Sequence, residues 1–182
     1  VHYHFIDGTL SITPFAVSLT GNRAYDGSIN MLSSSFVMSP LVGSESLSLS
    51  GTGTLLSKDV GSAKTVSAGS LTMGNVGSSL ASNYSFTDGT LNATITQAAI
   101  TIGSSAVTKT YDGGLSALGT AIVTSGSLKS GDSLSGGSFS FTDKNAGNAN
   151  KTVSTSGVTV GDGTNNSNYT VSFADNTAST IN

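Results

Sequence analysis

Ala24-Tyr25-Asp26-Gly27 returns eighty-six positions later as Thr110-Tyr111-Asp112-Gly113. Laying one over the other brings further residues into step along a period of roughly 85 residues, the scale of a small domain. The chain therefore reads as two copies of one module. The tetrapeptide itself suits the junction of a strand and a turn. Tyrosine brings a large ring for a core, and Asp-Gly accepts the positive φ of a tight turn. Both Tyr25 and Tyr111 are expected to be core anchors whose hydroxyls reach a polar partner; the competing reading is a pair of sugar-stacking platforms.

Outward from the tetrapeptide, module one runs over 12–94 and module two over 95–182. Residues 1–11 match Asn83–Asn92, with Tyr3, Phe5, Asp7, Gly8, Thr9 and Leu10 each finding a counterpart. They are expected to be the tail strand or hairpin of a preceding copy. In module one, Phe15, Val17 and Leu19 alternate with small polar residues, as do Leu47 and Leu49, the period of a half-buried strand. Ile29, Met31 and Phe36-Val37-Met38 add further short strands. Lys58-Asp59-Val60-Gly61 reads as a turn before Thr65-Val66 and Leu71-Thr72-Met73, and 75–82 has room for one short helical turn. Tyr84 and Phe86 lead to an expected Asp88-Gly89 turn. Module two repeats the order through Ile100 and Ile102, Ile122-Val123, Leu134, Phe139 and Phe141. Lys144-Asn145-Ala146-Gly147, Lys151-Thr152-Val153, Val158-Thr159-Val160, Asn168-Tyr169, Val171 and Phe173 follow, then an expected Asp175-Asn176 turn. No apolar pattern at helical spacing lasts a dozen positions, so the expected fold is all-β. Its modules are either sandwich-like or built on a grasp-like curved sheet, tandem in an extended array with a short joint over 90–97.

Composition narrows the function. Ser and Thr make up about a third of the 182 residues, Gly numbers 23 and charged residues only 9%, a balance unlike that of most soluble enzymes. Seven Lys plus Arg, unclustered in a chain of net charge −3, argue against a phosphate-binding surface for nucleic acid. No apolar run approaches the roughly 20 residues of a membrane-spanning helix, so no membrane insertion is expected. Cysteine is absent, so packing and not disulfides must hold each module. An exported protein would carry its signal upstream of this stretch.

The order of motifs resembles a known family. Tyr-Asp-Gly follows an Ile-Thr strand, a Lys-x-x-Gly turn precedes Lys-Thr-Val, and Asn-Tyr comes near the end, as in the YDG and related MBG repeat modules of large bacterial adhesins, including filamentous-haemagglutinin-like exoproteins. The resemblance covers essentially the whole chain. It implies tandem mostly-β modules, export across a Gram-negative envelope and a place in a secreted or cell-surface fibre. The expected role is a structural stalk that spaces an adhesive region from the cell, its partners being neighbouring repeats of the same chain. The alternative is an adhesive module that itself binds a host glycan or matrix protein, with the Asn-rich stretches 145–150 and 162–168 as its candidate loops. Arg23-Ala24 stands where module two has Lys109-Thr110, which is closer to the family pattern.

No catalytic, cofactor-binding or metal-ligating residue is assigned, and no cofactor is expected. Gly131-Asp132-Ser133-Leu134 spells the nucleophile motif of one hydrolase class, but that serine needs a histidine base. The only histidines, His2 and His4, precede it. A Gly-Asp turn feeding a strand is the preferred reading, so an enzyme is not expected. His2 and His4 would share one strand face and lack a third strong ligand; exposed strand residues are the better account. Gly161-Asp162-Gly163-Thr164-Asn165-Asn166 spaces oxygen ligands somewhat like a calcium loop without the acidic residue that closes one, so a flexible turn is expected there. Asn83, Asn92, Asn165 and Asn168 each open a glycosylation sequon.

Overall fold

The computed structural model describes Gly8 and residues 11–182, with the backbone alone for 87–90. The expected tail hairpin, including His2 and His4, lies outside the described residues. The chain is all-β. Among the described residues, fifteen strands are accompanied by two single-turn 3-10 helices, Ser33–Ser35 and Ala81–Asn83, the second at the end of the stretch expected to hold a short helical turn.

The residues group into two compact units that do not follow the sequence repeats strictly. The first comprises residues up to Gly21, Asn30–Leu56 and Ala63–Ala93; the second comprises Asn22–Ile29, Ser57–Ser62 and Thr94–Asn182. Two loops of the first repeat, the Tyr25 loop and the Lys58 turn, thus belong to the second unit.

The first unit is built on a six-stranded sheet. Its strands are Phe15–Ala24 (β1), Asn30–Leu32 (β2), Phe36–Met38 (β3), Thr52–Leu55 (β5), Gly61–Ser67 (β6) and Tyr84–Thr96 (β8), in the order β2-β5-β6-β8-β1-β3. Leu47–Ser50 (β4) and Thr72–Asn75 (β7) pair beside it as an antiparallel ribbon. The period of two in β1 has its expected result, with Val17 and Leu19 buried, but Phe15 at the strand's start is half exposed. The expected Asp88-Gly89 turn is absent. β8 continues through those residues because it is held between β6 and β1, and its later half buries every second residue, Leu91 and Ala93 in the first unit and Ile95 in the second. Only Gln97 separates β8 from the next strand, so the expected joint over 90–97 is mostly strand.

The second unit carries two sheets. In one, Ala98–Ser104 (β9) lies between Ala121–Ser125 (β11) and Tyr169–Phe173 (β14); in the other, Thr108–Lys109 (β10), Asn176–Ile181 (β15), Gly147–Gly161 (β13) and Ser133–Phe141 (β12) follow in that order. The β14–β9 pair is parallel, with Tyr169 opposite Ala98 and Phe173 opposite Ile102. Such a pair cannot be closed by a tight hairpin, so the intervening chain must cross over. Val107, Ala117, Phe141, Val153 and Ile181 form one buried cluster, with Phe139 packed on its edge. Lys151-Thr152-Val153 and Val158-Val160 prove to be parts of a single fifteen-residue strand. At Ala174-Asp175 the chain passes from the β9 sheet to the β13 sheet. The expected Asp175-Asn176 turn is therefore a sheet switch: Asn176 is already in β15, where its Oδ1 accepts hydrogen bonds from Ala178 N (3.0 Å) and Ser179 Oγ (2.9 Å).

Candidate functional site

Both Tyr-Asp-Gly loops close in the same way. In the first, Asp26 Oδ1 accepts a hydrogen bond from Ser28 N at 2.8 Å and Gly27 takes a φ of +79°. In the second, Asp112 Oδ1 accepts from Gly114 N at 2.9 Å and Gly113 has φ +76°. These are Asx turns, in which a short carboxylate satisfies the backbone two residues on and glycine supplies the left-handed conformation. The basic residue two positions before each tyrosine completes the loop. Arg23 pairs with Asp26 and donates from Nη2 to Ser28 O at 2.5 Å. Lys109 Nζ lies 2.7 Å from Asp112 and donates to Gly114 O at 2.7 Å and Ser116 O at 3.2 Å. Lys109 holds the Asp112 carboxyl below its ordinary range, chiefly through that hydrogen bond. The Arg23/Lys109 difference thus preserves a loop-closing cation. Spacing alone gave no role to either residue.

The surroundings of the two tyrosines differ. Tyr25 is 1% exposed and sits in the second unit. Its ring meets Tyr169 edge-on, centroids 5.4 Å apart at 75°. Its hydroxyl donates to Asp132, 3.1 Å to Oδ2, and Tyr169 donates to the same oxygen at 2.6 Å. Lys129 N donates to the Tyr169 hydroxyl at 2.9 Å. The Asp132 side chain is 1% exposed and has Lys58 Nζ 3.5 Å away, and Lys58 also lies 5.6 Å from the Tyr25 ring centre. A buried carboxylate is tolerable only when paired and hydrogen-bonded, and these three donors meet that need. Burial, with Asp132 adding to it, pushes the hydroxyls of Tyr25 and Tyr169 above the usual tyrosine value, while Lys58 partly offsets the effect at Tyr25.

Asn168 completes the site. It is fully buried, its Oδ1 accepts from Val60 N at 2.9 Å, and its Nδ2 donates to Asp59 Oδ1 at 3.1 Å. Its own backbone N–H donates to Asp162 Oδ2 at 2.9 Å. Asp162 Oδ1 also accepts from Thr164 N (2.8 Å) and Asn166 N (3.2 Å). Burial works against the Asp162 carboxylate, but the backbone donors prevail and hold its pKa below the ordinary value. The 161–166 stretch, expected to be a flexible turn, is therefore an organised loop whose carboxylate is engaged by three backbone amides. Among the described residues no group of three or more His, Cys, Asp or Glu is close enough to hold a metal ion.

The first unit carries a matching tyrosine–carboxylate pair. Tyr84 donates to Glu45 and accepts from Val42 N at 3.1 Å, as Tyr169 does with Asp132 and Lys129. The Tyr84 hydroxyl is raised above its usual value, by Glu45 first and by burial second. There the edge-on ring is Phe15, 6.0 Å away at 76°, and Asn83, the counterpart of Asn168, is exposed.

A family model described as the YDG domain matches residues 9–92 and again 96–178. The chain belongs to the YDG domain family. No curated protein and no solved structure matches it. The two family tyrosines do not share the fate expected of them. Tyr25 is a core anchor, whereas Tyr111 is 54% exposed and its expected burial is corrected. Its loop holds its shape through Lys109 and Asp112 without the ring being covered. The Asp132 of the hydrolase-like Gly-Asp-Ser-Leu run faces two tyrosines and a lysine, and Ser133 is exposed at the start of β12 opposite Gly161. The turn-into-strand reading holds, with Gly131 at φ +89°. Of the sequon asparagines, Asn83 and Asn165 are exposed, Asn92 is half-buried in β8 and Asn168 is buried.

Proposed function

We propose that these YDG repeats are structural modules of the stalk of a secreted bacterial cell-surface adhesin, spacing an adhesive region from the cell. The observation that carries this reading is how the motif's polar groups are used. Arg23, Asp26, Lys58, Asp132, Asn168 and Tyr169 are each engaged by one another or by backbone groups, so their chemistry goes into holding loops in place. A stalk repeat calls for such a closed, copyable unit. The scarcity of lysine and arginine, seven in 182 residues, fits an exposed fibre by leaving few cleavage points for trypsin-like proteases. The resemblance to Gram-negative exoprotein repeats supplies the proposed location, and neighbouring repeats are the proposed partners.

The test is binding of the labelled, folded chain to a broad glycan array and to extracellular-matrix proteins. No saturable binding is the expected outcome. Saturable binding that a substitution in the 145–150 stretch abolishes would make this an adhesive module and overturn the stalk reading.

A further inference from the structure

Among the described residues, the second Tyr-Asp-Gly loop leaves exposed the ring that the first loop buries, and its glycine and matching turn are more exposed as well. Tyr111 is held by the same backbone bond as Tyr25. Tyr25 N donates to Thr96 O at 2.8 Å, and Tyr111 N donates to Asn182 O at 2.8 Å. A Cβ built on Gly27 would meet Lys129 Cβ at 2.9 Å, whereas one built on Gly113 would meet nothing within 4 Å. The Lys58-Asp59-Val60-Gly61 turn is joined to Asn168 through Asp59 and Val60. Its counterpart, Lys144-Asn145-Ala146-Gly147, has exposed Lys144 and Asn145.

We infer that Tyr111, Gly113 and the Lys144–Gly147 turn are a docking face for one further YDG repeat, joined in tandem. The repeat would receive them in a socket of the Asn168, Tyr169 and Asp132 kind. Several observations fix that occupant. The same loop with the same closing bonds is seated on such a socket once already, in the second unit. The Tyr111 ring, Gly113 and Lys144-Asn145-Ala146 are exposed together, not singly. Asn182 O takes the Tyr111 amide as Thr96 O takes that of Tyr25, so the strand leading away from the loop is placed alike in both copies. The docking has a definite chemistry: a tyrosine ring set edge-on against the socket tyrosine, its hydroxyl on a buried carboxylate, and a turn amide on the socket asparagine. A buried carboxylate with two hydroxyl donors selects for tyrosine over phenylalanine, because phenylalanine would leave an acceptor short of a partner. This inference concerns how repeats join, and it stands or falls separately from the stalk reading, since a glycan-binding array would join in the same way.

The experiment extends the full chain by a second copy of residues 97–182 placed directly after Asn182. Tyr111→Ala is then compared in the 182-residue chain and in the extended chain. In the shorter chain the substitution is expected to leave the melting temperature within about 1 °C. In the extended chain it should lower the transition of the added repeat by roughly 5 °C or more. Hydrogen exchange at residues 111–114 and 144–147 should slow at least about tenfold on extension, and Tyr111→Phe should fall between wild type and Tyr111→Ala. The proposal is overturned if Tyr111→Ala is silent in both chains while the added copy is folded, or if exchange at those loops is unchanged. It is equally overturned if the added copy stays unfolded, because the same sequence folds in the chain when a Tyr-Asp-Gly loop precedes it.

Discussion

Tyr25 and Tyr111 stand in loops with the same glycine conformation, the same Asx turn and an equivalent basic residue, yet one ring is buried and the other half exposed. The difference lies in what faces the loop. Asp132, Tyr169 and Lys129 face the first, and none of their kind covers the second among the described residues. A motif can thus fix a loop's shape locally through an aspartate and a cation, while the energetic worth of its tyrosine depends on a separate set of residues more than a hundred positions away in sequence.

That comparison is open to direct attack. The largest contrast should come from truncating the two rings. Tyr25→Ala removes a fully buried aromatic and should cost about 3–5 kcal/mol, whereas Tyr111→Ala, at an exposed position, should stay within about 0.5 kcal/mol; urea unfolding of the two variants measures both. Next in size, Asn168→Ala leaves the Val60 amide without its acceptor and should cost roughly 1–3 kcal/mol. Asn83→Ala, exposed, should stay within about 0.5 kcal/mol. Glycine gives a smaller contrast. Gly27→Ala and Gly113→Ala share the strain of a positive φ, and Gly27→Ala alone meets Lys129, so its unfolding midpoint should be the lower by about 1 kcal/mol or more.

The smallest effect should appear in alkali. The hydroxyls of Tyr25 and Tyr169 are raised in the folded state above the ordinary 10.0. Just above that pH the unfolded chain releases protons that the folded chain keeps. The stabilisation is therefore whole below pH 10 and is lost as pH rises beyond it. The urea midpoint should decline above about pH 10, with a shallower decline in Tyr25→Phe. An equal decline in Tyr25→Phe and Tyr111→Phe would remove the distinction between the two loops.

Much of this fold was legible in the sequence because its signals are local. Alternation marked β1, β4 and β9, Asp-Gly marked both loops, and the repeat marked the second copy of each. The errors came where local chemistry was overruled by pairing. Asp88-Gly89 has the composition of a turn, but β8 has neighbours on both sides and runs on through it. Ala174-Asp175 changes sheets, which depends on the partners of β14 and β15 and not on residue type. The candidate site was harder to see. In the sequence Asn168-Tyr169 reads as a family marker, a sequon and part of an Asn-rich loop, and Asp132 as part of a hydrolase-like run or a turn, because nothing in the spacing of 25, 59, 132 and 168 says that they converge. One signal was available: Glu45 and Asp132 are both acidic at corresponding positions ahead of a strand, and Tyr84 and Tyr169 correspond too. A shared acid and a shared tyrosine in two otherwise divergent copies point to a pair in contact.

The most direct test is a double-mutant cycle between Tyr25→Phe and Asp132→Ala, read by urea unfolding of the full chain. If Tyr25 is anchored through Asp132, the two changes should couple by roughly 1–3 kcal/mol. Additive losses, agreeing within about 0.5 kcal/mol, would mean that the hydroxyl and the carboxylate do not act on one another, and the anchoring of the first loop would have to be sought elsewhere.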